Sequence, residues 1–503
     1  DIRKVKETTY ISTGGGGGIL DSQKKDKSYH YIEIRVNNGE LTVSIEKPII
    51  TAHSEGITFL GFLWNKIYSW VYVNFINVLL IISISFLIVY LFYIKLIERI
   101  DYYPDVIDSV KKDYPLTIAM FTNNYLPFIG GVPLSISRLK KGLEKKGHQV
   151  YVFAPDYTDG SEKLQEKGVI RFSPLFHYKK GELIVPVSNI FSSKIRNEFK
   201  KINPDIVHVH HPFWLGTVGK RLAKKYKKPI VFTYHTRLEQ YNHYVPVFQN
   251  LAGGQIPHML IKFFASTCDA VIAPTKSAKR YLRNLGIGKL IVIQPTGIDL
   301  SSFQKTEKTD QNKLILFSVF RLSKEKSPYF LLEGIEKLSQ QCAVPFQCLI
   351  AGTGPEEENM ANYIKNHDLD KYVLLLGKIP PEKISDYYSK SDIFIFSSQS
   401  ETQGMVILEA MAGGSPVVAV DSSGISDIVI NGKNGFKTDA DLNQWVGKIQ
   451  FLLEKQDQRE ILGNQARLTG EMNSIESMSD NILDMYYEII DWKKKHPNKV
   501  FIR

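Results

Sequence analysis

Cysteine is scarce in this chain of 503 residues, which contains only Cys268, Cys342 and Cys348. None of them belongs to a CxxC pair, and no histidine lies near them at metal-ligand spacing. This scarcity argues against a disulfide framework and against a zinc site. No residue pattern in the chain points to another metal or to a cofactor. Its length exceeds that of one compact core, so two or three domains are predicted.

The net charge of +11 is divided unevenly along the chain. Residues 116–300 carry 27 Lys and Arg against 11 Asp and Glu, whereas residues 301–490 carry 18 against 27. A basic half followed by an acidic half indicates two domains with different partners, not a nucleic-acid-binding protein. We expect the basic half to face anionic lipids at a membrane. A solvated surface without a partner is the alternative.

A long uncharged segment, residues 71–94, precedes these two halves. It is long enough to cross a hydrocarbon core of about 30 Å, so it predicts one transmembrane helix. A buried core helix is the alternative. More basic residues follow the segment than precede it, which predicts a single-pass protein of the cell membrane with its large downstream part in the cytoplasm. The aromatic residues toward its two ends suit the membrane interfaces, and they are Trp64, Trp70, Tyr90 and Tyr93.

Residues 1–56 are predicted to form a β segment outside the cytoplasm. Alternation in YHYIEIRVNNGELTVSIEK, centred on residues 37–39, predicts a β-hairpin. Together with the preceding STGGGG, this stretch resembles the last hairpin of calcineurin-like metallophosphoesterases. The resemblance implies a remnant of such a domain, although the metal-ligand motifs of that family are missing. A plain hairpin remains the alternative.

The main body alternates short apolar runs with helical stretches, which predicts an α/β fold with two Rossmann-like domains facing a cleft. The domains are assigned to residues 116–300 and 301–490, followed by a basic tail at 491–503. Ligands of such sheets lie at the carboxyl ends of the strands, so the cleft is the expected site. The predicted strands are 116–122, 148–155, 205–211, 229–235, 269–275, 314–320, 346–352, 372–378, 392–398 and 416–422.

In the first half, Gly130 and Gly131 follow the first strand and precede a helix. Glycines there let backbone amides approach a phosphate or a sugar, although an ordinary tight turn is equally compatible. The helix carries Arg138, Lys140 and Lys141, which could lie along an acidic bilayer. In the alternative, these cations are solvated and the apolar face of the helix packs in the core.

Histidines and tyrosines gather in the segment TYHTRLEQYNHYVP, at the end of a strand. His235 could hydrogen-bond a phosphate or a sugar hydroxyl, while Tyr241, His243 and Tyr244 could shape a lipid or acceptor pocket. A separate motif, HVHHP, contains His208, His210 and His211. Alternation along a strand is expected to send these three to opposite faces, which disfavours a shared metal.

In the second half, Arg321 and Lys326 lie on the loop after the first strand, where two cations could neutralise a departing diphosphate. The glycine loop AGTGP, with Gly352 and Gly354, could approach a nucleobase or a ribose. The segment SETQGMVILEAMAGG contains Glu401 and Glu409.

Gly404 is expected to mark the turn from strand to helix within that segment, and Gly404, Met405 and Val406 are expected to contact the donor. Glu401 would then lie on the loop and Glu409 in the helix. We interpret the two carboxylates as two contacts along one extended nucleotide-sugar, whose diphosphate faces the helix N-terminus.

Taken together, these motifs over residues 116–490 resemble the retaining glycosyltransferases of family 4, which have the GT-B fold. The resemblance implies that Glu401 contacts hydroxyls of the donor sugar and that Glu409 holds the ribose. It also implies that Arg321 and Lys326 bind the diphosphate, and that retention follows a front-face route without a metal. By the same resemblance, Gly130 and Gly131 line the reacting centre and His235 touches the sugar or a phosphate.

Two segments, TYHTRLEQYNHYVP and SETQG, narrow the resemblance to bacterial enzymes that glucosylate diacylglycerol. It implies transfer of a hexose, glucose from UDP-glucose, to 1,2-diacylglycerol. One departure is Ser327 followed by Pro328, where a glycine is usual after the lysine. A phosphatidylinositol or a polyprenyl-linked saccharide is an alternative acceptor. A non-catalytic nucleotide-sugar-binding membrane protein is a third hypothesis. It is disfavoured because all four charged motif residues are present, namely Arg321, Lys326, Glu401 and Glu409.

Overall fold

A computed structural model describes most of the chain, in two compact units, Asp1–Lys95 and Leu96–Arg503. The described residues are 2–5, 8–11, 31–37, 40–46, 59–96, 114–128, 130–157, 166–180, 183–187, 189–235, 256–303, 313–401 and 403–496. Among the predicted site residues, Tyr241, His243 and Tyr244 lie outside these ranges.

The first unit begins with two antiparallel strand pairs. Strands β1 and β2 span Ile2–Val5 and Thr8–Ile11, and strands β3 and β4 span Tyr31–Asn37 and Glu40–Glu46. Asn37 pairs with Glu40, so the connection between β3 and β4 is two residues long. The pairing of β3 with β4 in this register confirms the predicted hairpin. The two connecting residues in the sequence are Asn-Gly, which is a favoured pair for a two-residue hairpin turn. The pair β1 and β2 was not predicted.

Two helices, α1 (Phe59–Val73) and α2 (Phe75–Leu96), replace the single transmembrane helix predicted at 71–94. Asn74 interrupts the apolar segment, and its side-chain amide donates to the Trp70 carbonyl over 2.9 Å. The backbone amide of Asn74 bonds the same carbonyl over 2.9 Å, so the side-chain bond adds to the helical pattern at this position and does not replace it. No single described helix is long and apolar enough to cross a membrane, whereas the pair Lys66–Val73 and Phe75–Tyr90, bent by 89°, passes by length and composition.

The second unit contains a seven-stranded parallel sheet in the order β13-β12-β11-β10-β5-β6-β7 and a separate antiparallel pair, β8 and β9. The strands are β5 Thr117–Phe121, β6 Gln149–Pro155, β7 Val169–Phe172, β8 Phe176–Lys180, β9 Leu183–Val187, β10 Ile206–Val209, β11 Ile230–Thr233, β12 Ala270–Ala273 and β13 Leu290–Ile293. The helices are α3 Gly131–Lys145, α4 Ser193–Ile202, α5 Leu215–Lys225, α6 Ile256–Ala265 and α7 Lys276–Asn284.

A six-stranded parallel sheet follows in the order β16-β15-β14-β17-β18-β19, the doubly wound arrangement. The strands are β14 Leu314–Val319, β15 Phe346–Ala351, β16 Val373–Gly377, β17 Ile393–Phe396, β18 Val417–Val420 and β19 Gly435–Thr438. The helices are α8 Pro328–Gln341, α9 Glu357–Asn366, α10 Ile384–Lys390, α11 Met405–Gly413, α12 Leu442–Glu454, α13 Gln456–Met472 and α14 Ile475–Lys495.

The two parallel sheets confirm the predicted pair of α/β domains. Every strand predicted for them is observed, because fully buried parallel strands are continuous apolar runs that are readable in a sequence. The sequence did not indicate β7, β13 and β19, which are four-residue strands at the edges of the sheets.

The last helix, α14, returns to the first domain. Met478, Ile482 and Tyr486 are buried in the same core cluster as Leu139 and Leu143 of α3. Residues of α14 within the predicted domain 301–490 thus pack in the core of the first sheet. The predicted basic tail at 491–503 likewise begins inside α14, and its residues beyond 496 lie outside the described ranges.

A glycine allows α14 to approach α3 closely. A Cβ atom on Gly142 would lie 2.1 Å from Ser479 Oγ and 2.6 Å from Ile475 Cγ2. Two exposed ion pairs flank the crossing, Lys145 with Glu476 at 2.8 Å and Lys146 with Asp480 at 2.6 Å. Close backbone approach, more than exposed charge, sets this contact.

We expect Gly142→Ala to destabilise the protein by about 1–3 kcal/mol, because the added methyl group must push α14 away from α3. Gly447→Ala is the matched control: it also lies inside a helix, but its added Cβ meets nothing within 4 Å. The control should stabilise the protein by about 0.5–1 kcal/mol through helix propensity. Chemical unfolding of the two variants checks this, and equal effects would contradict the proposed helix crossing.

A buried histidine links α14 to the sheet. His208 Nδ1 lies 2.6 Å from the hydroxyl of Tyr486, and His208 Nε2 lies 2.6 Å from the hydroxyl of Thr233. Burial lowers the pKa of His208 to about 3. The folded protein therefore keeps this ring neutral over a pH range in which the unfolded chain takes up a proton.

We expect the contribution of His208 to stability to be complete above pH 6.5 and to be lost progressively as the pH falls toward 3. Below the unfolded pKa of about 6.5, each pH unit costs up to about 1.4 kcal/mol for this one proton. The thermal midpoint should therefore fall more steeply between pH 7 and pH 5 in the unsubstituted protein than in His208→Gln. Parallel pH dependences would show that this ring does not stay neutral on folding.

Candidate functional site

A cavity of about 240 Å³ lies within the second unit, at the carboxyl ends of strands from both sheets. It is lined by Gly131, Val132, His235, Thr296, Lys326, Ser400, Glu401, Gln403, Gly404 and Met405. Six of these residues were candidates in the sequence, and they come from segments far apart in the chain. The position agrees with the general rule for doubly wound sheets.

Gly404 lines the cavity and lies at the turn between the loop that carries Glu401 and the helix that carries Glu409. Its φ of +67° lies in the left-handed region, where a side chain is strained, and it precedes α11 directly. As predicted, Glu401 therefore lies on the loop and Glu409 within the helix. The N-terminus of α11 opens onto the cavity through Gly404 and Met405, which creates a positive end for an anion.

Lys326 and Glu401 form an ion pair in the cavity wall. The Lys326 ammonium lies 2.6 Å from Glu401 Oε1, and each side chain is 18% exposed. The Ser398 hydroxyl donates to the same oxygen over 3.1 Å. Partial burial makes this pair stronger than one on an open surface. The cavity thus holds a cation and an anion in one fixed arrangement.

The backbone conformation after Lys326 explains why a glycine is usual at the position that Ser327 occupies in this chain. Ser327 has a φ of +51°, a left-handed conformation that favours glycine. Pro328 then begins α8, where a proline fits the first helical turn. The Ser397 hydroxyl bonds the Lys326 carbonyl over 3.0 Å, and the Ser400 hydroxyl bonds the Glu325 carbonyl over 3.1 Å. These bonds hold the loop shape that a glycine would permit without strain.

Glu409 is engaged at both carboxylate oxygens. Arg138 of the first domain contacts Oε1 at 2.5 Å, and the Tyr388 hydroxyl donates to Oε2 over 2.9 Å. Burial and the neighbouring Glu409 carboxylate raise the pKa of Tyr388 well above 10, so its hydroxyl keeps its proton. Arg138 also donates to the Gly297 carbonyl over 3.3 Å. The carboxylate is thus oriented by groups from both domains.

The cations of α3 form ion pairs with carboxylates of the protein. Lys140 contacts Glu144 at 3.1 Å and Glu166 at 3.2 Å, and Lys141 contacts Asp299 at 2.5 Å. Lys140 is buried, with only 8% of its side chain exposed. With Arg138 bound to Glu409, these contacts favour the alternative of a core-packed helix over one lying along a bilayer.

Other candidates lie outside the cavity lining. Arg321 is exposed. A Cβ on Gly352 would lie 1.9 Å from the Phe320 carbonyl oxygen, and one on Gly354 would lie 2.3 Å from that of Leu322, so both glycines permit close backbone packing. Gly130 caps the start of α3 beside Gly131, and Val406 follows Met405 in the first turn of α11.

The histidines of HVHHP did not all separate as predicted. His208 and His210 are two positions apart and share one face, with ring centroids 4.2 Å apart. His210 Nδ1 lies 2.9 Å from His235 Nε2, so this motif reaches the cavity wall. In the part of the chain that the structure describes, no group of three or more His, Cys, Asp or Glu side chains is placed to hold a metal ion.

Gln403 is a cavity residue that sequence reasoning missed. The Thr296 amide donates to its Oε1 over 3.1 Å, and its Nε2 reaches the Thr296 carbonyl over 3.5 Å. The Thr296 hydroxyl bonds Ser135 of α3 over 2.9 Å. Gln403 stands within the quoted SETQG motif, but its partner is 107 residues away and no local pattern indicates it.

Two family models match this region. Residues 129–302 match the glycosyltransferase family 4 model, and residues 301–469 match the model for glycosyl transferases group 1. Nothing in these ranges bears on the metallophosphoesterase resemblance of the N-terminal segment.

Curated relatives agree with these matches. The chain is 28% identical to the alpha-monoglucosyldiacylglycerol synthase of Acholeplasma laidlawii over 411 residues, covering 76% of this chain and 100% of the relative. It is 29% identical to the synthase of the same name from Streptococcus pneumoniae, covering 62% of this chain and 73% of that relative. It is also 26% identical to a sulfoquinovosyl transferase of Arabidopsis thaliana, covering 78% and 77%.

Solved structures share the fold. Sucrose-phosphate synthase from Thermosynechococcus elongatus superposes with a TM-score of 0.63 at 20% identity, covering 75% of this chain and 100% of that one. HepE from Anabaena, solved with UDP and glucose, gives 0.57 at 18% identity, covering 74% and 100%. Residues 129–469 thus match two glycosyltransferase family models in succession, and the two α/β domains share the GT-B fold of these solved structures.

Proposed function

We propose that this protein transfers a hexose, glucose from UDP-glucose, to 1,2-diacylglycerol with retention of the anomeric configuration. The observation that carries this proposal is the Lys326–Glu401 pair, which lies in a cavity that His235 also lines. The names of the two monoglucosyldiacylglycerol synthases support the choice of donor sugar and acceptor.

Donor binding would use the second domain. Lys326 and the N-terminus of α11 would hold the diphosphate, with Arg321 approaching from the exposed loop. Glu401 would accept hydrogen bonds from sugar hydroxyls. Glu409 would accept hydrogen bonds from the ribose hydroxyls, in place of part of its present contact with Arg138. These roles distribute the two carboxylates along one extended ligand.

The transfer step would break the bond between the anomeric carbon and the diphosphate oxygen, while the acceptor hydroxyl oxygen bonds that carbon on the same face. The acceptor proton would pass to the leaving diphosphate oxygen. Lys326 would stabilise the negative charge that grows on the leaving group. Among the described residues that line the cavity, Glu401 is the one carboxylate, and its pairing with Lys326 makes it a poor nucleophile.

The acceptor side would be the basic first domain. Its net positive charge suits an anionic lipid surface, and Tyr241, His243 and Tyr244 remain candidates for the acceptor pocket. The proposal includes a membrane location with the catalytic domains in the cytoplasm. The bent apolar pair α1 and α2 supports it by length and composition.

Membranes containing the protein should transfer labelled glucose from UDP-glucose to diacylglycerol, measured in lipid extracts. Lys326→Met should abolish this transfer, because it removes the cation beside the leaving group. Label appearing instead on phosphatidylinositol or on a polyprenyl-linked saccharide would replace the proposed acceptor. Folded protein that binds UDP-glucose without labelling any lipid would support a non-catalytic nucleotide-sugar-binding protein.

The two glutamates should differ in their kinetic effects. Glu409→Gln should raise the KM for the donor about 10- to 100-fold, since hydrogen bonds to a charged group contribute about 1.5–3 kcal/mol. Glu401→Gln should mainly lower kcat, by about 100-fold or more.

The control for both variants is Glu476→Gln, which removes a carboxylate from an exposed ion pair away from the cavity. It should leave both constants unchanged. Steady-state kinetics of the three variants would contradict the assignment if Glu401→Gln and Glu409→Gln changed KM and kcat alike.

A further inference from the structure

His210 makes a contact that the proposed transfer does not use. It follows β10, is 3% exposed, and places its Nδ1 2.9 Å from Nε2 of His235. The ring centroids are 5.2 Å apart with an interplanar angle of 30°, so the two rings meet edge to edge through these nitrogens. His235 lines the cavity beside Lys326 and Glu401. Because its Nε2 is turned to His210, Nδ1 is the ring nitrogen that remains for a ligand.

Both rings are neutral at physiological pH. Burial, followed by the neighbouring imidazoles, lowers the pKa of His210 and the pKa of His235 well below 6.5. A neutral imidazole carries one N–H group. The gap between the two nitrogens therefore holds one hydrogen, and its position decides which nitrogen of His235 is protonated.

Two arrangements are chemically possible. If His210 Nδ1–H donates, His235 accepts at Nε2 and carries its hydrogen on Nδ1. If His235 Nε2–H donates, His235 presents a bare Nδ1 and His210 carries its hydrogen on Nε2. The two arrangements give the cavity a donor and an acceptor, respectively.

The surroundings of His210 Nε2 distinguish these arrangements. This nitrogen is buried and has no hydrogen-bond partner among the described residues. The small cavity that His210 lines is bordered by the apolar residues Pro212, Phe213, Phe232 and Ile261, and also by His211, Tyr234 and His235. A buried N–H without an acceptor is rarer and more costly than a bare acceptor. The first arrangement is therefore favoured.

We propose that His210 is a positioning residue that holds the ring hydrogen of His235 on Nδ1, so that His235 presents an N–H donor to the ligand in the cavity. His235 then binds an oxygen acceptor, such as a sugar hydroxyl oxygen or a phosphate oxygen, and is not the base that removes the acceptor proton. The choice of ligand rests on the proposed glycosyl transfer. The position of the hydrogen does not.

NMR of the full chain labelled with [¹⁵N]histidine tests the hydrogen position directly, with the His235 signals assigned by their loss in His235→Gln. We expect a protonated Nδ1 and an unprotonated Nε2 for His235. In His210→Asn the amide can still donate to Nε2, so the pattern should persist. In His210→Leu both tautomers should appear. A protonated Nε2 of His235 in the unsubstituted protein would overturn the proposal, whether or not the protein transfers glucose.

Kinetics test the consequence. His210→Leu should lower kcat at least about 10-fold, as expected on losing a tautomer-fixing partner, and His210→Asn should restore most of that loss. In a His235→Ala background, His210→Leu should have no further effect, because its action passes through His235. An equal further loss in that background would show that His210 acts by another route. If His210→Leu fails to fold, the tautomer of His235 in the unsubstituted protein and in His210→Asn still decides the matter.

Discussion

The packing of α14 against α3 is the contact on which the arrangement of the cavity depends. Gly142 lets the two helices meet closely, and the apolar face of α14 completes the core of the first sheet. Since α14 follows the second sheet in the chain, this packing ties the two sheets into one unit. Helix α3 is thereby held in place, with Gly131 at the cavity and Arg138 extended toward α11.

Ion pairs and a hydrogen bond then orient the two carboxylates of the SETQGMVILEAMAGG segment. Arg138 and Tyr388 orient the Glu409 carboxylate, and Lys326 orients that of Glu401. In a partly buried cleft such pairs are screened less than surface pairs, so the side chains are set before a ligand arrives. Preorganised groups stabilise charge that develops during a reaction without having to reorganise. The buried histidines extend this order from the cavity wall into the core.

Much of the fold could be predicted because its information is local. Buried parallel strands are apolar runs, Asn-Gly marks a hairpin, and Gly404 marks a strand-to-helix turn. The single helix predicted at 71–94 is not observed, because the apolar segment bends by 89° between Val73 and Phe75. The cations of α3 show what local spacing could not predict. Their spacing suited a bilayer, but their partners include Asp299 and Glu409, far away in the chain.

The sequence by itself determined the fold class, the order of the strands along the chain, and the residue types that gather at the cavity, because periodicity and glycine turns act between neighbours. Only the tertiary structure decided which groups meet: Arg138 with Glu409, Gln403 with Thr296, and His210 with His235. Each of these contacts joins residues at least 25 positions apart. Such pairs form only when sheets and helices pack, so no local pattern can specify them.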